Sequence, residues 1–330
     1  MKNPFVGIVC ILFTLFASAQ DFSALWEGHF SYLNIKDVVV GNTKVYAASE
    51  NAIFTYDLET LELNKISTIN GLSGEFISTI HYSKTFKLLI IGYENGLIEI
   101  VLEQNDEVLS VVDIVEKLTI PPDNKRINHF NEYNGVVYIS TDFGISVYDL
   151  ERLEFGDTYF IGNGGTQIIV SQTAIFEDNI YAACMSNSGI RKASINSNNL
   201  IDYQEWTQII GGNFLGIEAL ENKLYTTRLN NRIYEINNNI LNELFTYSSK
   251  PLDLKSSNSN LVVTTKNNVF VYDSNFNLLA NPSVIQDFDT EFTASVTTNE
   301  GIYIGTKDFG VLRTTIENPS EFIKIHPDGP

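Results

Sequence analysis

The sequence predicts an all-β fold: a single seven-bladed β-propeller with four antiparallel strands per blade. Three observations predict it. A phrase of two apolar-rich runs recurs seven times at an average spacing of about 43 residues, which is the interval of a four-stranded propeller blade. Within each copy apolar and polar residues alternate with a period of two, the signature of strands rather than helices. A turn of Asn, Gly or Asp interrupts every copy at the same place, and those residues tolerate positive φ. Sustained helical periodicity occurs nowhere, so helical repeats of similar length are rejected.

The copies run in order from "KVYAASENAIFTYDL" at Lys44 and "LLIIGYENGLIEI" at Leu88 to "VVYISTDFGISVYD" at Val136 and "NIYAACMSNSGIRKA" at Asn179. They continue with "KLYTTRLNNRIYEI" at Lys223, "NLVVTTKNNVFVYD" at Asn260 and "GIYIGTKDFGVLRT" at Gly301. Their marker positions are Tyr46, Ile90, Tyr138, Tyr181, Tyr225, Val262 and Tyr303. Two residues after each marker stands a small side chain: Ala48, Gly92, Ser140, Ala183, Thr227, Thr264 and Gly305. A size limit at one place in every repeat implies a crowded strand facing its neighbour. Each phrase is therefore the middle of a blade, strands b and c.

The innermost a strands precede these pairs, for example at 76–82, 127–133, 214–220 and 292–298. The outer d strands follow them, for example at 63–69, 108–114, 206–210 and 243–247. Several b strands are apolar on both faces, as sheets sandwiched between sheets require. Two segments compete for the last d position. "WEGHFSYLNI" at Trp26 reads as an N-terminal strand that closes the last blade, and "EFIKIHPDGP" at Glu321 reads as a d strand too. The first is taken as the latch, the second as a lead into a further domain, and a chain stopping at Gly329-Pro330 reads as cut rather than finished.

The N-terminus opens Met1-Lys2-Asn3, runs apolar to Phe16 and continues Ala17-Ser18-Ala19-Gln20. A basic start, a short apolar core and an A-x-A site predict a signal peptide over residues 1–19 and a propeller over 20–330. The apolar run is shorter than the ~20 residues that span a bilayer. Cys10 leaves with the signal, so Cys184 remains alone and no internal disulfide is possible. A chain with 44% hydrophobic residues can bury a large core without one. The net charge of −19 excludes general nucleic-acid binding, which needs a basic footprint.

No segment carries a catalytic signature, and neither a cofactor nor a metal is expected. His29, His81, His129 and His326 lie in separate segments without metal-ligand spacing. "GLSGE" around Ser73 lacks the second glycine of a nucleophile elbow. "GNGGT" at 162–166 has no following helix to complete a phosphate cradle and reads as a loop between blades. Asp287, Asp289 and Glu291 alternate as a solvated strand face does.

What remains is a binding surface. The b–c turns and d–a loops of a propeller share one face. That places Glu50, Asn51, Glu94, Asn95, Asp142, Phe143, Asn187, Asn230, Asn231, Asn267, Asp308 and Phe309 together as the candidate face. Phe143 and Phe309 stand out, because an aromatic at a hairpin tip packs locally or meets a partner.

"LWEGHFSYLNIKDVVVGNTKVYAASENAIFTYD", "INGLSGEFISTIHYSKTFKLLIIGYENGLIEI" and the ending "IHPDGP" resemble the first propeller of PorZ-type proteins of the type IX secretion system. The second phrase is also similar to sensor propellers of two-component regulators, whose unit reads "GL-x-x-N-x-V…W-I-G-T-x-x-G-L". Leu89 stands where that unit has Trp, and most repeats lack its leading Gly-Leu. The PorZ resemblance implies a non-catalytic scaffold at the cell surface, in an attachment complex with a sortase-like peptidase and outer-membrane barrel proteins that anchors cargo to lipopolysaccharide. It also implies a longer protein with a second propeller and a sorting domain. The alternatives are a ligand-sensing ectodomain and, behind it, an enzyme working in the central channel.

Overall fold

The computed structural model describes residues 30–284 and 288–328. The predicted signal peptide, Trp26, His29 and Asp287 lie outside the described residues. Those described form seven four-stranded antiparallel sheets, each a simple meander, with no α-helix among them. The innermost a strands are Asp37–Val40, Ile77–Ser83, Ile127–Tyr133, Val170–Phe176, Phe214–Leu220, Pro251–Ser257 and Phe292–Thr298. Consecutive a strands touch, and the seventh touches the first, so the ring is closed.

Each b strand is the most buried of its blade, matched only in blade 6 by the c strand Val269–Tyr272. Leu88–Tyr93, Asn260–Thr265 and Gly301–Thr306 are buried at every position. Both faces of such a strand meet a neighbouring blade, which is why the sequence there is apolar without alternation. Seven hydrophobic clusters result, one at each blade junction. The junction between blades 7 and 1 is built from Val38, Val45, Ala47 and Phe54 against Val296, Tyr303, Val311 and Ile325.

The small residue after each marker has a steric cause. A Cβ on Gly92 would stand 2.7 Å from Ile127 Cγ2 and 2.9 Å from Phe130 Cζ, both in the a strand of the next blade. A Cβ on Gly305 would stand 2.6 Å from Ile35 Cγ2, just before blade 1. Ala48, Ser140, Ala183, Thr227 and Thr264 are all buried at the equivalent place. The next blade's inner strand therefore limits the size of this side chain.

The latch is a correction. The fourth strand of the last blade is Ile323–Ile325, which pairs with Val311–Thr314 and belongs to the C-terminal segment. Among the described residues, no N-terminal strand closes that blade. Residues 33–35 instead cross its end: Ile35 N–H donates to Thr306 O at 2.8 Å, and Gly310 N–H donates to Leu33 O at 2.9 Å. The two competing segments carry the same alternation, and alternation names a buried face but not the partner strand.

Candidate functional site

The candidate residues all fall on b–c turns and so share one face of the ring. A repeated device holds several of these turns. The residue after the small position is Ser49, Thr141, Thr265 or Thr306, each nearly fully buried at the end of its b strand. Its hydroxyl donates back to a carbonyl of its own turn, to Ala52 O at 2.8 Å, Gly144 O at 2.9 Å, Asn268 O at 3.1 Å and Gly310 O at 2.8 Å. The turns are thereby preformed, and sequence reasoning missed the cause. A Ser or Thr three residues past the marker in four of seven copies was the available signal.

Most of the polar candidates are tied locally. Glu50 accepts from Asn34 at 3.0 Å, Glu94 pairs with Arg126 at 2.8 Å, and Asp142 accepts from Asn128 at 2.8 Å. Asn187 exchanges two hydrogen bonds with Asn213, and Asp308 accepts from Thr290 at 2.8 Å. Asn95 accepts from Leu97 N–H, and Asn230 donates to the Tyr234 hydroxyl at 2.8 Å. Asn231 takes a left-handed φ of 61° that Asn tolerates well. The Asn51 and Asn267 side chains have no hydrogen-bond partner among the described residues, although the Asn267 carbonyl accepts from Val284 N–H. Phe143 is a second correction. It is 0% exposed and packs on Phe160, so it is core rather than contact surface. Phe309 is half-buried, edge-on to Phe288, with Lys324 Nζ 4.4 Å above its ring.

The lining of the central channel is the feature that sequence reasoning did not assemble. A cavity of about 1250 Å³ opens on the opposite face, where the a–b turns lie. A second, of about 340 Å³, opens toward the candidate face. Asp37, Thr79, His129 and Lys255 line both, so they form the constriction between them. There Lys255 Nζ donates to Asp37 Oδ1 at 2.5 Å and Val38 O at 3.1 Å, and pairs with Asp253 Oδ2 at 3.1 Å. Asp37 Oδ2 accepts from Thr79 Oγ1 at 2.8 Å and Ile80 N–H at 3.0 Å. The network joins blades 1, 2 and 6 across the hole.

Burial alone would lower the Lys255 ammonium pKa. The Asp253 and Asp37 carboxylates outweigh that and hold it above the ordinary lysine value, so the ion stays charged. Glu218 accepts from Ser256 Oγ at 2.7 Å and Gln172 Nε2 at 2.8 Å, yet burial pushes its carboxyl up to about 7. His81 and His129, separate in the sequence, line the same cavity. His81 Nε2 lies 3.0 Å from Glu132 Oε2. Burial, helped by nearby His81, pushes His129 down to about 3, and its buried Nδ1 has no partner. Among the described residues, no group of three His, Cys, Asp or Glu is arranged to hold a metal ion.

Fold and site together define a closed seven-bladed propeller with preformed turns on one face and a polar channel through its centre. Residues 45–207 match the family described as the TSS9, PorZ, N-terminal beta-propeller domain, so the PorZ-type resemblance read from the sequence holds. Among solved structures, the chain is similar to PorZ of Porphyromonas gingivalis, described as an essential bacterial surface component of the type-IX secretion system. The TM-score is 0.76 at 18% identity, covering 92% of this chain and 40% of that one. This chain therefore spans about two-fifths of that PorZ. It is also similar in fold to the computationally designed Ika8 protein, with TM-score 0.56 at 12% identity, covering 85% of this chain and 96% of that one. Raptor of Chaetomium thermophilum aligns with TM-score 0.64 at 13% identity, covering 85% of this chain and 28% of that one. No curated protein matches the chain by sequence.

Proposed function

We propose that this propeller is a rigid, non-catalytic interaction module of a type IX secretion attachment complex, exported by its signal peptide and working at the outer cell surface. It holds protein partners there, a sortase-like peptidase and outer-membrane barrel proteins, together with a lipopolysaccharide sugar. The observation that carries this reading is the PorZ-type match over residues 45–207. The turn architecture supports it. Turns braced by buried hydroxyls lose little freedom on binding, and such preorganisation favours affinity.

The test is affinity capture from an outer-membrane extract with the exported protein as bait. Recovery of secretion-system envelope proteins is expected, and Asn230→Arg with Asn267→Arg is expected to reduce it. Recovery of periplasmic signalling proteins alone would favour the sensor reading and contradict this one.

A further inference from the structure

Arg191 lies on the c strand of blade 4, Ile190–Ser194, where its side chain is only 4% exposed. Its Nη2 donates to Asn163 Oδ1 at 2.8 Å, its one hydrogen bond among the described residues. Its Nε is buried and donates to nothing. Among the described residues no carboxylate pairs with it, in a chain where acidic residues outnumber basic ones by 40 to 21. A guanidinium stays protonated at any ordinary pH. A buried charge without a counter-ion is strongly disfavoured, because lost hydration is not replaced.

Asn163 belongs to the loop 162–166, "GNGGT", which joins blade 3 to blade 4 on the face of the b–c turns. Two of its amides are used internally: Gly162 N–H donates to Thr166 O and Gly165 N–H to Gly162 O. The amides of Asn163, Gly164 and Thr166 donate to no acceptor among the described residues. Gly164 and Gly165 adopt left-handed φ of 71° and 73°, and a Cβ on Gly164 would meet nothing within 4 Å. Space is open beside Gly164, and the guanidinium, bonded to Asn163 through Nη2, has no counter-ion among the described residues.

We propose that Arg191 and the 162–166 loop form a site for a tetrahedral oxyanion, a phosphate or sulfate group. When the exposed Asn163 side chain swings aside, an anion oxygen takes the place of its Oδ1 on Nη2, and the adjacent Nε, thereby uncovered, completes the bidentate fork that guanidinium offers such groups. The free loop amides supply the remaining donors, as backbone nests do. The net charge of −19 repels anions at long range, so the selectivity comes from these local donors alone. This site stands independently of the proposed scaffold function.

The test follows the thermal midpoint of the chain in inorganic phosphate and in sulfate against chloride at matched ionic strength, with the anions kept at low millimolar concentration, where their general salting-out effect on stability is negligible. Phosphate or sulfate is expected to raise the midpoint by ~2 °C or more at saturation, as ligands that bind only the folded state do. Asn163→Asp places a carboxylate on the guanidinium. It is expected to raise the midpoint in chloride and to abolish the phosphate and sulfate responses, and Arg191→Gln abolishes them where it folds. A wild-type midpoint that responds to neither anion overturns the site, and so does an N163D chain that still responds.

Discussion

Lys255 in blade 6 holds Asp37 in blade 1 across 218 positions of sequence, with Nζ 2.5 Å from Oδ1. Both side chains are mostly buried, at 13% and 9% exposure, so removing one partner strands the other. Lys255→Met is expected to cost ~3–5 kcal/mol, the usual penalty for an uncompensated buried charge. Combining it with Asp37→Asn should recover part of that loss. Equilibrium urea unfolding of the two single variants and the double variant checks both statements.

The size limit on the b strands is testable apart from polarity. Ser140 is buried and its hydroxyl has no partner, so Ser140→Ala should change stability by less than ~0.5 kcal/mol. Gly92→Val must displace Ile127 and Phe130, which an added Cβ would meet at under 3.0 Å. Overpacking of this kind costs ~1–3 kcal/mol. Midpoints of chemical denaturation distinguish the pair.

Thr306 braces its turn in two ways: its Oγ1 donates to Gly310 O at 2.8 Å and accepts from Phe309 N–H at 2.9 Å. Thr306→Val keeps the shape and leaves Phe309 N–H unpaired, while Gly310 O keeps the Thr306 backbone N–H. A loss of ~1–3 kcal/mol is expected, with faster amide hydrogen exchange confined to residues 307–310.

Two channel groups pull stability in opposite directions with pH. Glu218 has its folded pKa raised to about 7, so the folded state holds its proton more tightly than the unfolded chain. Its contribution falls as pH rises from the ordinary glutamate value toward 7. His129 has its folded pKa depressed to about 3, so its contribution falls as pH drops below the ordinary histidine value. Between about pH 4.5 and 6.5 the two offset one another. Relative to wild type, Glu218→Gln should make stability fall more steeply on acidification in that window, and His129→Gln less steeply. Thermal midpoints at half-unit pH steps read both slopes.

Much of the fold was legible because the cause of each signal was local. The a strands at 127–133, 214–220 and 292–298 appear with those bounds in the structure. The small residue at Gly92 and Gly305 foretold a neighbour that the structure supplies as Ile127 and Ile35. What stayed hidden depends on which segments meet. The sequence left open whether Phe143 packs or meets a partner, because the residues that cover it come from blades 2 and 3 together, with Phe160 beyond the following d strand. The lining of the channel was missed because Asp37, His129, Glu218 and Lys255 come from four blades, and only ring closure brings them together. Polar residues on otherwise apolar a strands were the available sign.

Hydrogen exchange on a chain ending at residue 320 tests the central claim, a ring closed by packing of complete blades, most directly. Without Ile323–Ile325, the amides of Val311–Thr314 facing that edge should exchange markedly faster, and the junction with Val38 and Phe54 should loosen. Full protection of Val311–Thr314 in the shortened chain would mean that another strand fills that edge, and would contradict the account.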